Sequence, residues 1–221
     1  MKIKQYIEYI LPKYAHIPLA VTLIFRYSQY FFTKLITEDH VHYDLSLPID
    51  DVIPFVPFFI LFYVLAYIQW FSSYVFHAKA GKDEFYHLMM TDIITNIIGM
   101  ICFLVIPTTI VRPEITGNGI FESITKLIYH LDTPVNLFPS MHCVTSWICF
   151  RGALMMKNTP KWYPFLQFVF TLFVFASTVF VKQHFFIDII AGVVFVEISA
   201  FISKRFSVWK ILNRLAPKVK L

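Results

Sequence analysis

The sequence predicts an all-α membrane protein: six transmembrane helices, with a short amphipathic helix in the loop between the third and fourth. Three observations carry this. Of the 221 residues, 57% are hydrophobic, 19% aromatic and only 15% charged, against about 25% charged in soluble domains, and the mean hydropathy is +0.64. The apolar residues gather into six runs, each near the roughly 20 residues needed to cross a bilayer. Lys and Arg sit between those runs and near both ends of the sequence. With no basic face interleaved with stacking aromatics, the net charge of +5 reads as membrane orientation, and nucleic acid is excluded as a partner.

The runs fall at about 14–36, 53–76, 88–107, 139–156, 163–182 and 184–203. Almost nothing separates the last two, so a tight hairpin is expected there. The first loop, "TEDHVHYDLSLPIDD", is acidic. In the long loop 108–138, "GIFESITKLIYHL" spaces Ile120, Phe121, Ile124, Leu127, Ile128 and Leu131 as one helical face. That helix is expected either to lie on the membrane surface or to pack over the mouth of the bundle. No repeat or low-complexity segment is visible, so residues 1–221 read as a single domain, with its informative motifs between 88 and 203. The N-terminal "MKIKQYIEYILPKYAH" lacks an apolar run followed by small residues, so no cleaved signal is expected. Cys102, Cys143 and Cys149 lie inside apolar segments without metal-like spacing and read as small buried hydrophobes.

Orientation follows from the cations. Lys34, Arg112, Lys126 and Lys182 fall on one side; with Arg26 set aside inside the first span, the other fourteen fall opposite. The asymmetry places both termini in the cytoplasm. The first loop and the loop 108–138 then lie outside.

On that outer side three segments remote in sequence converge: "VRP" at Val111–Pro113, "PSMH" opening the fourth span and "KQHFFID" opening the sixth. They carry Arg112, Ser140, His142, Lys182, His184 and Asp188. Singly, each has an ordinary explanation, such as a headgroup-snorkelling cation or a helix cap. Together they have a chemical one. His184 and Asp188 are four apart and share a helical face. A carboxylate there holds one imidazole nitrogen, leaving the other to attack. His142, with an ordinary pKa of about 6.5, can protonate a leaving oxygen. Ser140 sits at a helix N-terminus, where phosphate oxygens are favoured. Arg112 suits bidentate phosphate contact, and Lys182 adds a point charge. Two histidines, a carboxylate and a cationic rim make a phosphoryl-transfer site.

The order "RP" … "PSMH" … "H-x-x-x-D" resembles the membrane-bound type 2 phosphatidic acid phosphatases, or lipid phosphate phosphatases, over roughly residues 88–203. The resemblance implies that His184 is a nucleophile forming a phosphohistidine, Asp188 orients it and His142 is the leaving-group acid. Arg112 and Ser140 would bind phosphate, with no metal or organic cofactor. Three positions depart from the family pattern. Val105 stands where a lysine is common, Thr178 where the third motif has an arginine, and Met141 in place of the motif glycine. Lys182 is the candidate to replace a missing cation. "PS-x-H" and "KQH" resemble bacterial branches of the family and relatives of inositol-phosphoceramide synthases.

The expected activity is hydrolysis of a lipid phosphate or diphosphate at the outer face of a bacterial plasma membrane. The alternative keeps the phosphohistidine but passes the phosphoryl group to an alcohol. A proton-coupled transporter would carry its ionisable residues at mid-membrane, not at the rim. Three polar residues inside the spans stay outside the catalytic set. Glu197 is expected to pair with Arg151 or Arg26, and Asp92 and Asn96 are expected to be structural, Asn96 as a bond between helices. The aromatic second span, "PFFILFYVLAYIQWF", reads as lipid-facing and core packing.

Overall fold

The structure, a computed structural model, describes residues 10–157 and 159–215. The expectation about the N-terminal segment, and the terminal lysines at 2, 4, 218 and 220, fall outside those residues. Eight helices organise the rest: α1 (Lys13–Thr37), α2 (Pro48–Val52), α3 (Ile60–Ala80), α4 (Lys82–Val105), α5 (Ile120–Leu131), α6 (Met141–Met155), α7 (Trp162–Phe180) and α8 (Phe186–Arg205). Two 3₁₀ turns and a four-residue helical turn complete the described helical structure. Among the described residues the only β-type pairings are isolated bridges, Tyr43 with Thr108 and Thr109 with Val135.

The helix ends have local causes. α4 begins six residues before the predicted run, because Asp83 and Glu84 suit the positive end of a helix. It stops just before Pro107, which cannot continue the backbone ladder. α6 is capped by Ser140, whose hydroxyl accepts the Cys143 N–H at 3.4 Å. Asp188 caps α8 from its first turn, accepting the Phe185 N–H at 3.0 Å.

α4 and α6 form the inner pair. α4 packs against α1 and α8, while α6 packs against α3, α7 and α8. Phe85, Tyr86, Leu88 and Met89 of α4 meet Val144 and Ile148 of α6 and Val196 of α8 in the main core. The expected hairpin of the last two spans does not form. α7 and α8 leave the turn 181–185 in diverging directions, and α6 packs between them. A five-residue connection permits that divergence because Lys182 takes a left-handed backbone conformation, φ 51°.

The outer surface of the bundle is apolar: Leu35, Phe71, Phe165 and Phe201 are 65–72% exposed. Such a belt is unfavourable against water and favourable against lipid. Four helical segments, Pro57–Ala80, Lys82–Val105, Trp162–Phe180 and Phe186–Arg205, are long and apolar enough to cross a membrane. This is a membrane protein. The other two expected spans differ for physical reasons. α6 has 15 residues, about 22 Å of helix, and α1 carries Arg26 and Gln29 inward.

Arg26 is neutralised within the bundle. Its guanidinium donates to both carboxylate oxygens of Asp92, at 2.5 and 2.7 Å, and to the Tyr74 hydroxyl at 3.0 Å. Asn96 donates back to Asp92 one turn away, so its bond stays within α4 and does not link helices. Glu197 pairs with Arg151 at 2.9 Å and accepts from the Trp147 indole at 2.8 Å. Arg26 is therefore not its partner. Cys143 and Cys149 are buried and Cys102 half-buried, all free.

Candidate active site

All six candidate residues lie at one end of the bundle. Arg112 follows α4, Ser140 and His142 open α6, Lys182 and His184 occupy the turn into α8, and Asp188 lies in the first turn of α8. His184 is buried, and its Nδ1 lies 3.1 Å from the Leu137 carbonyl and 3.2 Å from Asp188 Oδ2. A carbonyl can only accept, so Nδ1 carries the proton and Nε2 keeps its lone pair. The spacing of four that put both side chains on one face thus produces a direct contact.

His142 is held differently. Its ring stacks on Tyr63 with centroids 3.8 Å apart at 25°, and Tyr67 and Trp70 close around it. Its Nε2 is buried without a hydrogen-bond partner. Tyr63, Tyr67 and Trp70 belong to the span read as lipid-facing and core. That reading holds, with Tyr63 1% and Phe71 72% exposed, and these three, spaced i, i+4, i+7 on one side of α3, are the side that packs around His142. The spacing was visible in the sequence, but phenylalanines on the other faces obscured it.

Arg112 donates to the carbonyls of Tyr129 (3.1 Å) and Asp132 (2.6 Å), and to the Gln183 side-chain oxygen. It also lies over the Tyr129 ring at 4.5 Å. Burial lowers its pKa from the ordinary value, opposed by Asp132. Burial pushes the Tyr129 phenol up to about 12, so near neutral pH it stays a donor, bonded to the Val181 carbonyl at 2.6 Å. Gln183 was not singled out from the sequence, although it lies between two residues that were.

Lys182 points toward the first loop. Its ammonium donates to the carbonyls of Asp50 (2.8 Å) and Ile53 (2.6 Å), where the short helix α2 ends. One of its three N–H donors remains for another acceptor. Asp50, also not singled out, accepts the Phe186 N–H at 2.8 Å and so clamps the start of α8 to the first loop. Ser140 is fully buried; besides capping α6, its N–H donates to the Asp188 carbonyl at 3.3 Å. Neither of the two cavities at this end is lined by Ser140.

Of the divergent positions, Val105 is 69% exposed at the end of α4. Thr178 is buried, and its carbonyl accepts the N–H groups of Gln183 (2.9 Å) and His184 (3.1 Å). Met141 lines the cavity shared by the histidines.

His184 forms part of the wall of both cavities. The outer one, about 390 Å³, is lined by Arg112 and Lys182 and by Asp44, Asp50 and Asp51 of the first loop. The inner one, about 320 Å³, contains His142 as well as His184 and runs past Tyr63 and Trp70 toward Arg26. α5 covers this end: Phe121, Ile124 and Ile128 pack on Ile60, Tyr63 and Val181. The helix read from residues 120–131 exists, and its inward face packs over the bundle. Among the described residues no three His, Cys, Asp or Glu side chains are grouped as metal ligands would be.

The sequence profile of the PAP2 superfamily matches residues 38–202, from the first loop through nearly all of α8. The chain belongs to the PAP2 superfamily. The match takes in Arg112, His142, His184 and Asp188, and also Asp50 and the α3 aromatics that surround His142. PAP2 membership points to phosphatase-type chemistry on a lipid phosphate, in keeping with the membrane-spanning helices. Neither a curated protein nor a solved structure matches the chain.

Proposed function

We propose that this protein hydrolyses a lipid phosphate or diphosphate at the outer face of the plasma membrane through a phosphohistidine on His184, without a metal. The observation that carries the reading is the pair of acceptors on His184 Nδ1. They commit the proton to that nitrogen and leave the Nε2 lone pair for phosphorus.

The steps follow from the residues present. His184 Nε2 attacks phosphorus while Asp188 stabilises the positive charge that develops on the ring. The bond to the leaving oxygen breaks, and protonated His142 delivers its proton to that oxygen, releasing an alcohol or, from a diphosphate, a lipid monophosphate. Neutral His142 then takes a proton from water, which attacks the phosphohistidine; inorganic phosphate leaves and His184 is restored. Arg112 and the free donor of Lys182 stabilise phosphate oxygens. Ser140 supports the site by fixing the start of α6 beside Asp188. Six crossings, with α1 and α6 completing the four apolar helices and both termini cytoplasmic, put this end of the bundle outside.

The test is trapping. Wild-type protein turned over with radiolabelled lipid phosphate and quenched in alkali retains label on His184. His184→Ala loses both label and turnover, and Asp188→Asn keeps its fold but loses several decades of rate, on the analogy of a hydrolase triad. His142→Ala loses most with poor leaving groups and least with an activated aryl phosphate. Chelators change none of these outcomes. Label on another residue, or full activity in His184→Ala, overturns the mechanism.

A further inference from the structure

A further cavity, about 640 Å³, lies at the opposite end of the bundle from the histidines. The start of α4, the ends of α6 and α8, and Trp209 in the turn after α8 enclose it. Its size is within the range of about 300–1,000 Å³ that holds a small ligand. Leu154 and Phe201 in its wall are 51% and 65% exposed, so its mouth adjoins the apolar outer surface. Besides His87, three cations and three carboxylates line it. Four of these are paired, Arg151 with Glu197 at 2.9 Å and Lys157 with Glu84 at 3.0 Å. Lys204 and Asp83 are left. Both are exposed, and among the described residues neither is ion-paired, with the other or with a third group. Each stands one residue inside the end of a membrane-spanning helix, at the level of lipid headgroups. Lys204 alone would be an ordinary snorkelling cation. Asp83 suits the positive end of α4, yet it stands among lipid phosphates, which repel it. A phosphate with no cation beside it would pair Lys204 and leave Asp83 facing a like charge; a phosphate with an attached ammonium would pair both.

We propose that this cavity binds a zwitterionic phospholipid from the leaflet at its own end of the bundle, the cytoplasmic leaflet in the orientation given above. The phosphate rests on Lys204 and a primary ammonium on Asp83, which needs N–H donors that a quaternary ammonium lacks. The upper acyl chains lie over Leu154 and Phe201. The site is remote from His184 and does not depend on the chemistry proposed there.

Native mass spectrometry of the full chain in detergent tests the proposal. Dioleoyl phosphatidylethanolamine, phosphatidylcholine and phosphatidylglycerol, which share chains and phosphate, are titrated separately. The wild type should take up one phosphatidylethanolamine saturably, about tenfold or more tightly than phosphatidylglycerol and more tightly than phosphatidylcholine. Asp83→Asn should weaken phosphatidylethanolamine alone, removing most of its preference and leaving phosphatidylglycerol unchanged or tighter. Lys204→Gln should weaken both by about tenfold, because both use the phosphate. Asp83→Ser, which suits a helix start, is a second variant should Asp83→Asn fail to fold. Equal or tighter binding of phosphatidylglycerol, equal binding of phosphatidylcholine, a preference that persists in the Asp83 variants, or no saturable binding overturns the proposal. A lipid held only in the annulus around the bundle gives no saturable site. One seated in the cavities at the histidine end keeps its preference in the Asp83 variants.

Discussion

At the scale of single residues, the turn Val181–Phe185 concentrates the constraints of the site. His184 is fixed through one nitrogen, Gln183 holds Arg112, and Lys182 ties the turn to two carbonyls of the first loop. Lys182 therefore has two separable roles, structural and electrostatic. Lys182→Ala removes both and keeps an unfavourable left-handed backbone. It should lower stability by about 1–3 kcal/mol and turnover by about one to two decades. Lys182→Gly relieves the backbone but still removes the charge. Thermal unfolding and steady-state rates on both variants separate the roles: a melting temperature restored by glycine without restored turnover assigns the rate loss to the ammonium. Wild-type rates in both would leave Lys182 as an anchor only.

At the scale of elements, the relation of the two histidines depends on how closely α6 and α8 approach. Gly192 sits one turn below Asp188, and a side-chain carbon there would lie 3.3 Å from Val144 Cγ2. The close contact sets the distance between α6, which carries His142 in its first turn, and α8, which follows His184. Gly192→Ala forces only a small shift, whereas Gly192→Leu must push the helices apart, an overpacking typically worth about 1–3 kcal/mol. Turnover should fall modestly in the alanine variant and by more than tenfold in the leucine variant, since small misplacement of catalytic groups is costly. Equal activity in the two would show that this contact does not control the site. The α2 segment matters for the same reason: Asp50 holds the first amide of α8 from a loop remote in sequence.

At the scale of the whole molecule, orientation in the bilayer decides which compartment supplies the substrate. Cysteines introduced at Asp44, beside the outer cavity, and at Gly119, before α5, should react with a membrane-impermeant thiol reagent on intact cells. One at Lys157, beyond α6 at the opposite end, should react only after permeabilisation. The background should carry serine at the half-buried Cys102. Labelling at Lys157 alone inverts the orientation and places the histidines on the cytoplasmic side.

How much of this was legible in the sequence depends on the range of the interactions involved. The six helical runs follow from local composition, and the His184–Asp188 contact follows from helical periodicity, because residues four apart are neighbours in any α-helix. The capping position of Ser140 is equally local. Other features depend on how a helix is rotated about its axis and on where a loop crosses. α3 is apolar nearly all round, so in lipid it has no stripe to mark its inward face. Only packing against α6 turned Tyr63, Tyr67 and Trp70 toward His142. The wedge of α6 between α7 and α8 likewise overrode the short connection that predicted a hairpin. The sequence determined which candidate groups gather and the end of the bundle at which they do so. Tertiary structure decided which nitrogen of His184 is free, through Leu137 forty-seven residues away, and it brought the α3 aromatics around His142. Such contacts join segments remote along the chain, and no periodicity within one segment encodes them.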